Sequence, residues 1–477
     1  MVHLLSGISS RMFLAEGFAQ GFSKVEKLDI VAYDEPTSFL KSGNYSLLEF
    51  KTSMKLYFKI GPRLSSSDEE MLHQQELPGR CQYLILEDCQ DPVKLEQALQ
   101  SLSFLRGISI KCSKEIKFFP ETGLPSQLRF IDIDKCDALQ SLPMAWMHSS
   151  NTNLEELSIR FCDSLTCIYR VQLPPNLKKL VIGYCSNLLS VLDEEDVSGS
   201  RNNASCLEHL TIYSCPSLTS LWSKSNELPK ALRYLSIRKC SKLESIAEGF
   251  HDNTKLEELY IGDCEKLETL PSGINNLTSL RSLALVKCPG IVSFPEGGFP
   301  TSLTSLTITH KKMCKSLFEL GLHRLTSLEK LRIKGGCLDV MSFPQEEIGM
   351  ILPISLKSLH LKDFPNLERI SSTIQNLICL EKLYFYKCPK LKHFPENGLP
   401  QSLQRLYINK CPLLEERRLI KGDSNKAKAA LLGGLKDYIK VVWQNRRIVF
   451  NSFGMDVLFK MDIASDLVDW QGSIAQR

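Results

Sequence analysis

The chain has 477 residues, 43% hydrophobic and 23% charged, with a formal net charge of +4. That balance describes a globular protein, excludes collagen-like and disordered chains, and gives no ground for a nucleic-acid partner. No run of 18 apolar residues occurs, so no membrane-spanning segment is expected.

Residues Met1–Phe18 lack a basic start and are interrupted by Gly7, Arg11 and Glu16, which argues against a secretion signal. A reducing compartment, the cytoplasm, is therefore expected, with the seventeen cysteines as thiols rather than disulfides. Val25, Leu28 and Ile30 look like part of a degenerate repeat. Residues 31–80 are hard to place in any frame, and Ser65–Glu70 reads as a polar loop. The segment 1–80 is accordingly read as degenerate repeats or a cap.

From Cys81 onward one frame recurs, L-x-x-L-x-I-x-x-C. Leu154, Leu157, Ile159 and Cys162 fit it, as do Leu177, Leu180, Ile182 and Cys185. It returns at Leu207–Cys215, Leu232–Cys240, Leu256–Cys264, Leu280–Cys288, Leu380–Cys388 and Leu403–Cys411, and at Leu128–Cys136 with Ile131 in the second place. Three repeats keep the leucines and lose the cysteine, replaced by Lys311, Gly336 and Phe364. Two looser ones lie around Leu84–Leu86–Cys89 and Ile108–Ile110–Cys112. The period and pattern are those of a leucine-rich repeat, about fourteen times over residues 81–418. The expected fold is an α/β solenoid: a leucine-rich-repeat horseshoe with a parallel β-sheet on the concave face and a mostly irregular or 3₁₀ convex side. In L-x-I both apolar residues point to one face of a strand, and only stacking against neighbours buries them.

The cysteine sits just after the strand, where the chain bends inward and a small residue with a weak donor fits. A straight file of thiols does not converge as a tetrahedral zinc site requires, so no metal is expected. The second half of each repeat carries x-x-L-x-x-L-P, and three connectors are near copies: Pro120–Pro125, Pro295–Pro300 and Pro395–Pro400. Proline forbids a helix interior, hence the irregular outer side. The longer connector Asp193–Ser205 is expected to loop out. In the tail, 419–477, apolar spacing over Ala427–Trp443 predicts a helix capping the last repeat.

The combined frame, with its P-E-x-G-L-P connectors and the closing Cys411-Pro-Leu-Leu-Glu-Glu-Arg417, resembles the repeat region of plant intracellular nucleotide-binding leucine-rich-repeat disease-resistance proteins. No G-x-x-x-x-G-K-[ST] occurs anywhere, so the resemblance carries over the recognition part of that family's role and not its nucleotide switch. It implies a protein ligand, a pathogen effector or a host protein, with a nucleotide-binding domain as a further partner in cis or in trans. The alternative is a substrate-recognition subunit of a ubiquitin ligase working through a separate adaptor.

Catalytic motifs such as G-x-S-x-G, H-E-x-x-H and paired C-x-x-C are absent, so neither enzymatic activity nor a cofactor is expected. His209, His310 and His360 fall at solvent-facing strand positions. Binding is expected on the concave face, at the variable positions around the strand leucines. In the last repeats these are basic and aromatic: Arg332, Lys334, His360, Lys362, Tyr384, Tyr386, Lys387, Arg405, Tyr407, Asn409 and Lys410. Arg and aromatic side chains are favoured anchors, and a basic stripe steers an acidic partner. Lys362, Tyr384, Tyr386 and Arg405 are expected at equivalent positions of consecutive strands.

Overall fold

An L-x-I core on a pleated backbone forces alternate residues to opposite faces. In the computed structural model, Glu156–Arg160, Ser282–Val286 and Lys382–Tyr386 each alternate half-exposed and buried residues over five positions. The structure describes residues 104–416 apart from short stretches (122, 149–152, 170–172, 193–205, 222–227, 251–253, 295–296, 320 and 336–338), together with segments 2–3, 27–32, 55–60, 82–87 and 440–443. Two compact units are distinguished, Met1–Val442 and Trp443–Arg477, and the fold described is that of the first.

Between Tyr83 and Asn409, fourteen strands of one sheet run parallel in sequence order. Their register is uniform. Leu157 pairs in turn with Leu180, Leu210, Leu235, Leu259, Leu283 and Leu306 along one row. Ile159, Ile182, Ile212, Ile237, Ile261, Leu285 and Ile308 form the second row, and every member of both rows is at most 1% exposed. Burying one such side chain is worth roughly 1.5–3 kcal/mol, and each row is buried only because the next repeat covers it.

The backbone turn after most of these strands is equally regular. The residue before the cysteine takes a left-handed conformation without being glycine: Lys135, Phe161, Tyr184, Ser214, Lys239, Asp263, Lys287, Lys387 and Lys410 have φ between 52 and 58 or close to it, Asp263 lying at 51. Such a conformation costs on the order of 1–3 kcal/mol. Its amide donates to the carbonyl of the last strand residue of the next repeat, as from Lys135 to Arg160 at 2.9 Å, Lys239 to Gly262 at 2.8 Å and Lys387 to Asn409 at 3.0 Å. The cysteine that follows turns inward and its thiol donates to the carbonyl two residues back, at 3.4 Å for Cys162, Cys240 and Cys264. All the ladder cysteines from Cys136 to Cys411 are buried, and burial pushes the Cys240 thiol up to about 11.

The opposite side is built from two kinds of connector. Where the sequence reads Pro-x-x-Leu, the proline carbonyl accepts the amide of the leucine three residues on, as at Pro125–Leu128, Pro300–Leu303 and Pro400–Leu403. Ser302, Ser355 and Ser402 then donate to a leucine carbonyl of the preceding repeat, each at 2.9 Å. Three repeats that lack this proline carry a 3₁₀ segment there instead, at Ile274–Asn276, Leu322–Arg324 and Ser372–Asn376. Gly273 opens the first of these at φ 75, and a Cβ there would stand 2.9 Å from the Phe250 carbonyl oxygen.

Several expectations need correction. Residues 31–80, which fit no frame by sequence, contribute the strand Lys55–Ile60, and it pairs with both Lys27–Ala32 and Tyr83–Glu87. Ile30 and Ala32, not Leu28 and Ile30, take the register of the two core rows, because Leu28, Ile30 and Ala32 fall in one alternation phase and the frame fits either consecutive pair. In the repeat at Gly107–Lys111 the frame has its ordinary length, but Cys112 is not the ladder residue: it is the left-handed one (φ 56), and the fully buried Ser113 takes the ladder place. After Ser305–Thr309 the ladder turn is replaced by the helix Lys311–Glu319, which brings Met313, Cys314 and Leu317 into the core. Asp193–Ser205 and residues 427–439 lie outside the described residues. The last four residues of the expected capping helix, Lys440–Trp443, form a strand instead, consistent with the β-preferring Val441, Val442 and Trp443.

Two outcomes follow from this packing. Leu259→Asp places a charge in a row that is 1% exposed, and the cost of an unpaired buried charge spreads through cooperative stacking. A thermal melt is expected to show loss of several repeats, and an unchanged melt would refute the register. In native protein, Cys206 and Cys379, which are exposed, should react first with a thiol reagent, and Cys240, Cys264 and Cys288 slowly. Equal rates at all five would contradict the buried ladder.

Candidate functional site

The residues between and beside the core rows form the open face of the sheet, and their character changes along it. Its early strands carry acids, at Glu87, Asp132, Asp134 and Glu156. Arg160 is held among them, 3.0 Å from Asp132 and 3.8 Å from Asp134. The two strands Ser282–Val286 and Ser305–Thr309 show only small neutral side chains on this face: Ser282, Ala284, Val286, Ser305, Thr307 and Thr309. Four consecutive strands, Lys330–Lys334, Ser358–Lys362, Lys382–Tyr386 and Arg405–Asn409, are basic, and the strand Lys440–Trp443 belongs to the same sheet. With the turn residues that follow them the four present Lys330, Arg332, Lys334, Lys362, Lys382, Lys387, Arg405 and Lys410 against one carboxylate, Asp363.

Parallel register sorts the expected residues into three rows. The central row is Arg332, His360, Tyr384 and Tyr407. The row nearer the strand ends is Lys334, Lys362, Tyr386 and Asn409, continued at the turn by Lys387 and Lys410. Arg405 belongs to the row at the strand starts and pairs with Lys382. Lys362, Tyr384, Tyr386 and Arg405 are thus not at equivalent positions, since they occupy the fifth, third, fifth and first places of their strands. They still lie on one face across three neighbouring strands, and the four-strand patch spans about 14 Å at ~4.8 Å per strand.

The central row is a stack. The His360 and Tyr384 rings lie 3.8 Å apart at 15°, and the Tyr384 and Tyr407 rings 4.2 Å apart at 2°. Tyr384 has a neighbour on each face, so its rim is what remains open to solvent. Burial pushes its phenol up to about 12, with Tyr407 adding to the shift. His360 accepts or donates through Nε2 to Ser358 Oγ at 3.1 Å. Burial, and then the cations Arg332 and Lys382, push its pKa down to about 3, so the imidazole is neutral at physiological pH. In the neighbouring row, Lys362 Nζ lies 4.5 Å from the centre of the Tyr386 ring, Lys410 Nζ 5.4 Å and Lys387 Nζ 5.6 Å. Lys334 pairs with Asp363 at 3.6 Å.

Sequence reasoning passed over Lys330, Lys382 and Ser358. The signal was present, since each lies two residues before a position already on the open face. It also passed over a second aromatic group at the other end: Phe161 and Tyr184 stack at 4.4 Å and Tyr213 meets Tyr184 edge-on at 5.2 Å. Tyr213 reaches over Gly183, where a Cβ would stand 2.2 Å from its ring. His209 lies on the open face beside Tyr234, and His310 follows the strand Ser305–Thr309 at the head of the helix Lys311–Glu319. Among the described residues no group of three or more His, Cys, Asp or Glu is arranged to hold a metal ion, and no helix is long and apolar enough to cross a membrane.

The frame, its period and the parallel in-register sheet decide the class. The described repeats form a leucine-rich-repeat solenoid. The chain's repeat region is homologous to an Arabidopsis thaliana protein provisionally named a disease resistance protein, 34% identical over 322 residues, covering 61% of this chain and 22% of that protein. The chain thus spans about a fifth of that relative. A shorter likeness, 42% over 73 residues, covers 12% of the chain and 11% of an Arabidopsis thaliana glutamine–fructose-6-phosphate aminotransferase (isomerizing). Among solved structures, the leucine-rich repeat domain of a type III effector is similar with a TM-score of 0.41 and 24% identity, covering 51% of this chain and 80% of that one. No protein-family model matches the chain.

The buried histidine gives a test of this geometry. With its folded pKa depressed below the unfolded value of ~6.5, His360 takes up a proton only on unfolding as pH falls from about 6.5 towards 3. Stability is therefore expected to drop through that window by a part that His360→Gln removes. Melts of both proteins at pH 7, 5.5 and 4.5 measure it. Parallel losses in the two would show that the ring titrates freely.

Proposed function

We propose that the protein is a recognition module of the plant defence response, a disease-resistance-type receptor or a part of one, that binds a protein ligand on the open face of the four basic strands between Lys330 and Asn409. The homology of the repeat region to a plant disease resistance protein supports the setting. The observation that carries the site is the stacked row His360–Tyr384–Tyr407 flanked on both sides by cations. Rigid aromatic anchors lose little entropy on binding, and a cationic rim steers an acidic partner. The role is non-catalytic and needs no cofactor. In this reading residues 81–418 are the recognition unit, 1–80 extend it as degenerate repeats, and 419–477 are a separate tail. The ligand is a pathogen effector or a host protein met in the cytoplasm, and a nucleotide-binding domain is the second partner.

Binding kinetics to a copurified partner at two salt concentrations test the site. Tyr384→Ala with Tyr407→Ala should weaken binding by on the order of 2 kcal/mol or more, mainly through faster dissociation. Lys330→Gln with Arg405→Gln should instead slow association and flatten its salt dependence. Neither pair should shift the melt much, because these side chains point away from the leucine rows. If both pairs leave both rates unchanged in folded protein, the recognition site lies elsewhere.

A further inference from the structure

The turn residue after each strand is set by the backbone, so neighbouring repeats hold these side chains side by side. Mid-chain, opposite charges meet there: Lys287 pairs with Asp263 of the preceding repeat at 3.3 Å. Further along the sheet, after Lys382–Tyr386 and Arg405–Asn409, the pattern breaks. Lys387 and Lys410 are consecutive turn residues of the same sign, and Lys362 joins them over one ring, all three ammonium groups lying 4.5–5.6 Å from the centre of Tyr386. The nearby acid, Asp363, is taken by Lys334. Among the described residues none of the three lysines has a carboxylate partner.

Three cations gathered on one aromatic ring repel each other. The ring offsets part of that repulsion, and a bound anion would remove the rest. A carboxylate brings one charge and two oxygens in a plane. A phosphoryl group brings about −1.5 to −2 charges and three strong acceptor oxygens, which suits three separately mounted donors better. Resting on the reading of this face as a protein-binding surface, we propose that Lys362, Lys387 and Lys410 form a phosphoryl-binding site around Tyr386, and that the ligand is a phosphorylated segment of the partner protein. The stacked rims of Tyr384 and Tyr407 in the adjacent row contact the rest of that segment.

The test uses the full chain and three immobilised sets of short degenerate peptides that differ only in a central phosphoserine, glutamate or serine. The phosphoserine set should be retained about tenfold or more over the glutamate set, the size of effect expected of one to three charge-assisted bonds. The triple variant Lys362→Gln, Lys387→Gln, Lys410→Gln should lose that preference with its melt unchanged, whereas Lys330→Gln should lower retention of both charged sets alike. Equal retention of phosphoserine and glutamate, or a preference that survives in the triple variant, overturns the assignment. So does competition by inorganic phosphate at the same concentration as free phosphopeptide, which would make the site one for a free anion. These outcomes leave the partner kinetics of the Tyr384 and Tyr407 variants unaffected, so a failure of the phosphoryl site is separable from a failure of the face.

Discussion

A repeat of about 25 residues cannot bury its own leucines, and nearly every feature of the fold answers that constraint. Each strand offers two core residues to one side, and the strand of the next repeat, in register, completes their cover. Because the same pairing recurs, one geometry must serve every repeat. The turn that ends the strand therefore recurs too, left-handed and without glycine. Its conformational cost is offset by the hydrogen bond its N–H donates to a carbonyl of the following repeat, so the turn is favourable only inside the stack. Packing and turn are thus coupled: neither the leucine row nor the left-handed residue is stable in an isolated unit.

The inward thiol belongs to the same device. A side chain at that place must be small, buried and able to satisfy a bent backbone. Cysteine donates weakly to the carbonyl two residues back, as Cys162 and Cys411 do. Where cysteine is missing, the place is filled by other means: Ser113 by its hydroxyl, Phe364 by bulk, and the Lys311–Glu319 helix by inserting Met313 and Cys314. The constraint is on volume and direction, and chemistry follows from it.

This explains what the sequence makes legible. The strand frame is written in residues whose burial has no alternative, so Leu157 or Ile261 can be placed from spacing alone. The N-terminal strands are not, because Leu28, Ile30 and Ala32 share one alternation phase and allow two registers, and only pairing with Lys55–Ile60 chooses between them. Membership of the binding face is legible for the same reason as the core, by alternation. Its rows are legible too once the frame is applied strictly: Lys362 follows the second core residue of its strand, Tyr384 lies between the two and Arg405 precedes the first. The uniform register therefore puts them in three separate rows, and expecting them at equivalent positions misread the frame. The convergence of three lysines on Tyr386 lies further still from the sequence, because it needs both the register and the turn geometry.

The turn position shows how such a fold can vary its surface without losing stability. Its backbone is fixed by the bond to the next repeat, whichever side chain it bears. It carries Phe161 and Tyr184 in one region, a Lys287–Asp263 pair in another, and unpaired Lys387 and Lys410 at the end. A substitution there changes the character of the face while leaving the core rows untouched. The backbone positions under the tightest conformational constraint are thus among those freest in side-chain chemistry. A surface built this way holds its charges in preset places, and a partner that binds it meets groups whose positions the leucine stack has already determined.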